Sequence, residues 1–309
     1  MKAIFFGTSS FAAEILDFLV KEKFFIEAVV TKPDKKRGRA QKNKPTPVKE
    51  AAEKFSLPVF QPEKASEDAF VKKLHALEPD LFIVIAYGEI IKQKLLNVPR
   101  KGAINVHASL LPKYRGAAPI RRALLNGDDK TGISIIEMTA EMDAGDILGE
   151  EVIYVPDSMT FGELEKEMIQ ATKRLLPQIL EELDKGIIKK TPQKFSDATF
   201  AKKIEKEELQ IRWERSASEI HNQIRAFSPY PGAWTEVLLN GQKKRLKILK
   251  SEVKPIFHKS PGEILAYNQN EFTISAKEGA VSVLELQLEG KKAMAFDQLA
   301  RGFPNLDLF

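Results

Sequence analysis

In the first part of the chain, short apolar runs rich in β-branched and aromatic residues alternate with segments of helical spacing. Residues 2–6, 25–30, 81–86, 103–106 and 133–138 read as strands, and the stretches around 11–22, 47–55, 66–77 and 117–125 read as helices. Strands that are apolar throughout must be covered on both faces, so this alternation selects a parallel α/β sheet with helices on each side. Ligands of such sheets sit outside the carboxyl ends of the strands, where the strand order reverses. The residues that follow each run are therefore where chemistry is expected.

The pattern changes near residue 160. Thr160-Phe161-Gly162-Glu163 is a capping box ahead of an apolar stripe at Phe161, Leu164, Met168, Leu175, Ile179 and Leu183, which predicts an amphipathic helix. Pro177, which lacks an amide N–H, is expected to kink that helix or end it early. Residues 185–206 turn Lys-rich and irregular (Lys189, Lys190, Lys194, Lys202 and Lys203) and read as a connector. A helical lead-in is expected over 207–227. Beyond Ala233, β-like runs separated by turns at Asn240-Gly241, Pro261-Gly262 and Glu278-Gly279 predict a small antiparallel barrel. The expected organisation is an α/β domain over 1–184, a basic linker over 185–206 and a β-barrel domain over 207–309.

Composition narrows the class of function. An apolar share of 43% with 29% charged residues describes a globular chain. No run approaches the roughly 18 apolar residues of a membrane span, and no signal peptide is visible in Met1-Lys2-Ala3-Ile4-Phe5-Phe6-Gly7. Cysteine is absent, which removes disulfides, thiolate metal sites and a cysteine nucleophile, and agrees with a cytoplasmic location. The four histidines (75, 107, 221 and 258) have no metal-ligand spacing, so no metal is expected. Net charge is +5, but it is unevenly spread. Residues 32–49 hold eight Lys/Arg against Asp34 alone, and 243–259 hold seven against Glu252 alone. Concentrations of this kind suit a polyanion such as RNA.

One constellation carries chemistry. In Ile104-Asn105-Val106-His107, residues i and i+2 of a strand end share a face, so an amide and an imidazole stand side by side. The chain continues Ala108-Ser109-Leu110-Leu111-Pro112-Lys113-Tyr114-Arg115-Gly116, where Pro112 holds Leu111 extended. Met142-Asp143-Ala144-Gly145-Asp146 can bring a carboxylate from a second loop. An amide donor, an imidazole and a carboxylate suit a carbonyl transfer that passes through an oxyanion.

These stretches resemble the catalytic signature of the folate-dependent formyltransferases, and the likeness extends nearly end to end with the branch that acts on methionyl-tRNA. It implies a Rossmann-like parallel sheet domain with a second, smaller OB-like β-barrel domain. It implies transfer of the formyl group of 10-formyltetrahydrofolate to the α-amine of methionyl-initiator tRNA by a monomer, with Asn105, His107 and Asp143 catalytic. Ser109, Leu110, Leu111 and Pro112 carry over as folate contacts. Tyr87, Gly88 and Ile90, in Ala86-Tyr87-Gly88-Glu89-Ile90-Ile91, resemble the loop lining the pterin pocket. Arg115 and Gly116 are expected to shape the loop. Gly7-Thr8-Ser9-Ser10-Phe11-Ala12 resembles the family's Gly-Thr-Pro-x-Phe-Ala turn, with Ser9 in place of proline, a departure expected to loosen the turn.

The implied RNA contacts are more diffuse. The basic segment after the second strand resembles the insertion that meets the acceptor stem. Arg39 matches the family's key arginine, and Lys35, Arg37, Lys42 and Lys44 supply further phosphate contacts. A long irregular loop is expected here, ordering on binding. Lys203, Lys243, Lys244, Arg245 and Lys247 are expected to face tRNA from the second domain. Ala226-Phe227-Ser228-Pro229-Tyr230-Pro231-Gly232-Ala233-Trp234 resembles the Phe-Asn-Pro-Trp-Pro-Gly-Ala-Trp entry to that domain, and Trp234 is expected in its core. Glycinamide ribonucleotide transformylases share the Asn/His/Asp set but lack a second barrel, while sugar-nucleotide formyltransferases and the formyltetrahydrofolate-dehydrogenase hydrolase carry second domains but are not expected to have the basic loop 32–49 together with the Ser-Pro-Tyr-Pro-Gly-Ala-Trp entry. A non-enzymatic RNA adaptor would not need Asn105, His107 and Asp143 intact. An NAD-dependent oxidoreductase would need a glycine fingerprint that is missing.

Overall fold

The computed structural model describes residues 1–37, 42–239, 241–255, 260–303 and 306–308. The first part of the chain runs β1 (Ala3–Gly7), α1 (Ser10–Lys21), β2 (Ile26–Val30), β3 (Lys35–Arg37), β4 (Lys42–Lys44), α2 (Pro47–Lys54), β5 (Val59–Phe60), α3 (Asp68–His75), β6 (Leu81–Ile85), α4 (Gln93–Leu96) and β7 (Ala103–His107). It continues through β8 (Arg115–Gly116), α5 (Pro119–Leu125), β9 (Lys130–Glu137), β10 (Ile147–Tyr154), α6 (Phe161–Lys185) and β11 (Phe200–Ala201). The main sheet has the order β10-β9-β7-β6-β1-β2-β5. From β5 to β7 every described pairing is parallel, whereas β9 runs antiparallel to β7. The sheet is thus parallel-rich with an antiparallel margin, and the loop between β9 and β10 returns beside the end of β7.

All five residues of β1 and of β6 are buried, which is why both read as unbroken apolar runs. Ile4, Phe6, Val30, Leu74, Phe82, Val84 and Tyr87 share one core, each aromatic or aliphatic side chain contributing about 1.5–3 kcal/mol by leaving water. Strand order reverses between β1 and β6, so the turns after β1, β6 and β7 open at the carboxyl-end switch point. The Ser9 side chain accepts a hydrogen bond from the Ala12 amide and caps α1. The serine therefore secures this turn, contrary to the expected loosening. Gly7 is required: a Cβ there would lie 2.7 Å from the Cβ of Ala12.

α6 begins with the capping box read from the sequence, since Thr160 N–H meets Glu163 Oε2 at 2.8 Å. It then runs unbroken to Lys185 through Pro177. Leu164, Met168, Leu176, Ile179 and Leu180 are buried on both sides of the proline, and their packing outweighs its missing hydrogen bond. The basic segment is also more regular than expected. β3 and β4 pair antiparallel, with Lys35 opposite Lys44 and Arg37 opposite Lys42. Arg39 lies outside the described residues.

The remainder comprises α7 (Ala217–Phe227), β12 (Ala233–Leu239), β13 (Gln242–Lys254), β14 (Ile264–Tyr267), β15 (Phe272–Ser275), β16 (Ala280–Leu288), β17 (Met294–Ala295), α8 (Phe296–Gly302) and β18 (Asp307–Leu308). The helical lead-in is shorter than 207–227, with only a 3-10 turn at Lys206–Leu209 before α7. The strands form an antiparallel sheet in the order β14-β15-β16-β13-β12-β18, with β17 on β16. This half-barrel closes over Trp213, Ile220, Ile224, Phe227, Val237, Leu246, Ile248 and Phe272. Alternation along β12 sends Ala233, Thr235, Val237 and Leu239 inward. Trp234 points the other way, half-buried beneath the Arg245 guanidinium at 3.9 Å, so Trp213 and not Trp234 is the core indole.

Two units emerge from the internal contacts. One holds residues 1–117, 132–153 and 166–201, and the other 118–131, 154–165 and 202–309.

Candidate active site

Parallel pairing with β6 sets Asn105 beside Val84, and antiparallel pairing with β9 sets His107 beside Ser134. Period-2 geometry then places the Asn105 and His107 side chains on one face at the end of β7. The Asp143 loop, between β9 and β10, comes to the same point. Asn105 Nδ2 donates to Asp143 Oδ1 at 3.3 Å, and His107 Nδ1 stands 3.6 Å from Asp143 Oδ2. The three candidate catalytic side chains therefore converge, as the resemblance implied.

The histidine is held in one tautomer. Its Nε2 lies 2.9 Å from the carbonyl oxygen of Tyr114, which can only accept, so Nε2 carries a proton. In the neutral ring Nδ1 is then the basic atom, and it is the atom that faces Asp143. Protonation of Nδ1 creates an ion pair with a carboxylate that is already in place. His107 is 5% exposed, so this contact is largely shielded from water.

Asp143 is fixed through its side chain and its backbone. Its φ of 51° lies in the left-handed region, where a short carboxylate side chain is tolerated better than most. The Gly116 amide donates to Asp143 Oδ2 at 2.8 Å. Gly116 itself has φ 119°, and a Cβ there would come within 2.9 Å of Ala201 O, so only glycine allows this approach. Gly145, two residues after Asp143, is equally constrained: a Cβ would fall 1.8 Å from Glu137 O.

A residue outside the sequence expectations completes the frame. Gln193, in the stretch read as a plain connector, donates from Nε2 to Asp143 O at 2.8 Å and to Gly145 O at 2.7 Å. Its Oε1 accepts from Arg115 Nε at 3.1 Å and Nη2 at 2.7 Å. β8 and β11 pair in parallel, tying Arg115 and Gly116 to Phe200 and Ala201. A glutamine in a Lys-rich run has no local signal of such a role; only the distant pairing reveals it.

The folate candidates fall into two loops at neighbouring strand ends. After β7, Ser109 Oγ donates to Lys113 O at 2.6 Å, and the Leu111 amide donates to Ser134 Oγ at 3.0 Å. Ser109 and Leu111 are buried, Leu110 and Pro112 half-buried, and the Leu111-Pro112 peptide is cis. After β6, Tyr87 is buried edge-on to Phe6, its hydroxyl without a hydrogen-bond partner, and burial pushes the phenol upward. The Tyr87 side chain thus serves the core, while its carbonyl accepts from Thr8 Oγ1 at 2.9 Å. The Gly88 carbonyl accepts from Lys32 Nζ, and Ile90 is exposed.

The basic candidates divide by face. Lys35 and Lys44 are exposed, as is Lys203; of Arg37 and Lys42 only the backbone register is described. On β13, Lys243, Arg245 and Lys247 lie opposite Leu238, Glu236 and Trp234 on the outer face. Lys244 falls on the other face with Leu246 and Ile248. Lys243 is paired with Glu236 at 2.6 Å. Among the described residues no group of His, Asp or Glu side chains is arranged to hold a metal ion, and no helix is long and apolar enough to cross a membrane.

Residues 1–180 match the formyl transferase model and residues 203–304 its C-terminal domain model. The chain belongs to the formyl transferase family. It is 45% identical over 302 residues to the methionyl-tRNA formyltransferase of Protochlamydia amoebophila, covering 98% of this chain and 95% of that one. It is 41% identical to the methionyl-tRNA formyltransferase of Thermotoga neapolitana at the same coverage. Among solved structures, HypX from Aquifex aeolicus with tetrahydrofolic acid shares the fold at TM-score 0.65 and 18% identity, covering 97% of this chain; the chain spans 47% of HypX. WlaRD, a sugar 3N-formyl transferase, aligns at TM-score 0.64 and 20% identity over 94% of this chain and 99% of that one.

Proposed function

We propose that this member of the formyl transferase family moves the formyl group of 10-formyltetrahydrofolate onto the α-amine of methionyl-initiator tRNA, giving N-formylmethionyl-tRNA for translation initiation. The observation that carries the reading is the convergence of Asn105, His107 and Asp143 at the end of β7, within a chain that matches its methionyl-tRNA relatives nearly end to end.

The side chains fit direct transfer. The chain has no cysteine, so no thioester intermediate is available. As the α-amine attacks the formyl carbon, Asn105 donates an amide N–H to the developing oxyanion without titrating. His107 takes the ammonium proton at Nδ1, the only ring nitrogen with a free lone pair. Asp143 stabilises the resulting imidazolium. His107 then returns the proton to N10 as the bond between N10 and the formyl carbon breaks, which frees tetrahydrofolate and restores the neutral ring.

Around this centre, Ser109, Leu110, Leu111 and Pro112, with the backbone of Tyr87 and Gly88 and the side chain of Ile90, take the folate. In this reading residues 1–184 perform the catalysis, 185–206 connect, and 207–309 bind tRNA. Lys35, Arg37, Arg39, Lys42, Lys44, Lys203, Lys243, Lys244, Arg245 and Lys247 meet the RNA. The enzyme works as a monomer in the cytoplasm and needs no metal.

The test is to incubate the protein with 10-formyltetrahydrofolate and either methionyl-initiator tRNA or free methionine, and follow formyl transfer. Transfer to the tRNA alone is the expected result. Folate binding without transfer to either acceptor would direct the chemistry to another amine.

A further inference from the structure

We infer that Gln193, backed by Arg115, is a positioning residue that sets the Asp143 carboxylate against His107; the inference rests on the catalytic reading above. Asp143 must hold one oxygen near His107 Nδ1 and the other near the Asn105 amide. The Gly116 amide fixes the carboxylate but not the peptide that carries it. That peptide is in the left-handed region and belongs to a loop, so its carbonyls need partners from elsewhere in the fold.

Gln193 supplies them. Its two N–H groups serve the carbonyls of Asp143 and Gly145, and its carbonyl oxygen takes two hydrogen bonds from Arg115. Every donor and acceptor of this amide is therefore used. Both side chains are nearly inaccessible, at 6% for Gln193 and 2% for Arg115. Arg115 is in turn fixed by the β8–β11 pairing and by the Phe195 ring, 4.7 Å from its guanidinium. Its nearest ionic contact, exposed Glu141, is long at 3.8 Å.

The chemistry explains why an amide stands at this position. A carboxylate would satisfy Arg115 better but has no hydrogen to offer the two carbonyls. An apolar side chain would satisfy neither. Only a side-chain carboxamide joins an arginine on one side to two carbonyl acceptors on the other, and here glutamine supplies it. The pair acts on the reaction through Asp143, and displacement of a reacting group by about 1 Å can cost on the order of 10²-fold in rate.

The test uses Gln193→Glu and Gln193→Met in the full chain, with kcat and KM measured for 10-formyltetrahydrofolate and methionyl-initiator tRNA. The same substitutions are placed in an Asp143→Ala background and followed by single turnover. We expect kcat to fall by about 10- to 100-fold with both KM values within roughly twofold of the parent, and the penalty to vanish when Asp143 is alanine. Should Gln193→Met fail to fold, Gln193→Glu, which keeps an acceptor for Arg115, carries the test. Unchanged kcat, a rise in KM alone, or an equal penalty in the Asp143→Ala background would overturn the assignment. Absence of formyl transfer by the unmodified protein would instead reject the parent reading.

Discussion

At the scale of single residues, the contacts of His107 determine which ring nitrogen would carry the proton in the proposed reaction. Its Nε2 is committed to the Tyr114 carbonyl, leaving Nδ1 toward Asp143. A glutamine at 107 can keep a donor on that carbonyl yet cannot carry a proton at the other position. His107→Gln is therefore expected to lower turnover by about 10² or more while folate binding stays near that of the parent, as loss of a general acid-base group does. Stopped-flow binding beside single-turnover transfer separates the two. Near-normal turnover would place the proton on another group. The amide and imidazole could be read together from sequence because spacing two on a strand is a local rule, whereas the Asp143 carboxylate, 38 positions from Asn105, was singled out through the family resemblance. Gln193 could not, since its partners Gly145, Asp143 and Arg115 lie 48, 50 and 78 positions away and nothing in its own neighbourhood distinguishes it. Trp234 was misplaced for a related reason: aromatic content argues for burial, but the alternation set by Ala233 and Thr235 turns it outward.

At the scale of elements, the loops are held by backbone approaches that only glycine permits. Gly145 is the tightest, with Glu137 O in the space a side chain would need. Gly145→Ala should push the loop away from β9, lowering stability by about 1–3 kcal/mol through steric overpacking and moving Asp143 from His107. Thermal unfolding and turnover together check this; a variant with parental melting and turnover would mean the loop adapts without cost. Strands β1 and β6 were legible because burial on both faces leaves an unbroken apolar run. The antiparallel placement of β9 was not, since direction is set by the path of the intervening chain and leaves no mark on the strand. The continuation of α6 past Pro177 and the basic ribbon show the complementary limit. A local rule for proline yielded to a buried stripe, and a charged run that looked irregular pairs through its backbone, which charge does not forbid.

At the scale of the whole molecule, positive charge is concentrated in two stretches, residues 32–49 and 243–259. Of the candidate catalytic residues His107 is buried and Asn105 and Asp143 are half-buried, whereas Lys35, Lys44 and Arg245 are exposed. The β3–β4 ribbon sets Lys35 opposite Lys44, a like-charge register that costs stability in isolation and is relieved when a polyanion lies across it. On β13 the period of two makes a sharper discrimination. Lys243, Arg245 and Lys247 share the outer face with Trp234, and Glu236 pairs with Lys243, so in the proposed reading Arg245 and Lys247 are the cations that would release counterions from RNA. Lys244 is directed to the inner face. Arg245→Ala and Lys247→Ala should each weaken methionyl-tRNA binding and reduce the slope of log affinity against log salt by roughly one. Lys244→Ala should leave that slope unchanged, and folate affinity should be the same in all three. Titrations of the tRNA across a range of salt concentrations decide it. An equal loss of slope at Lys244 and Lys247 would mean that net charge, and not the outer face of the sheet, meets the RNA.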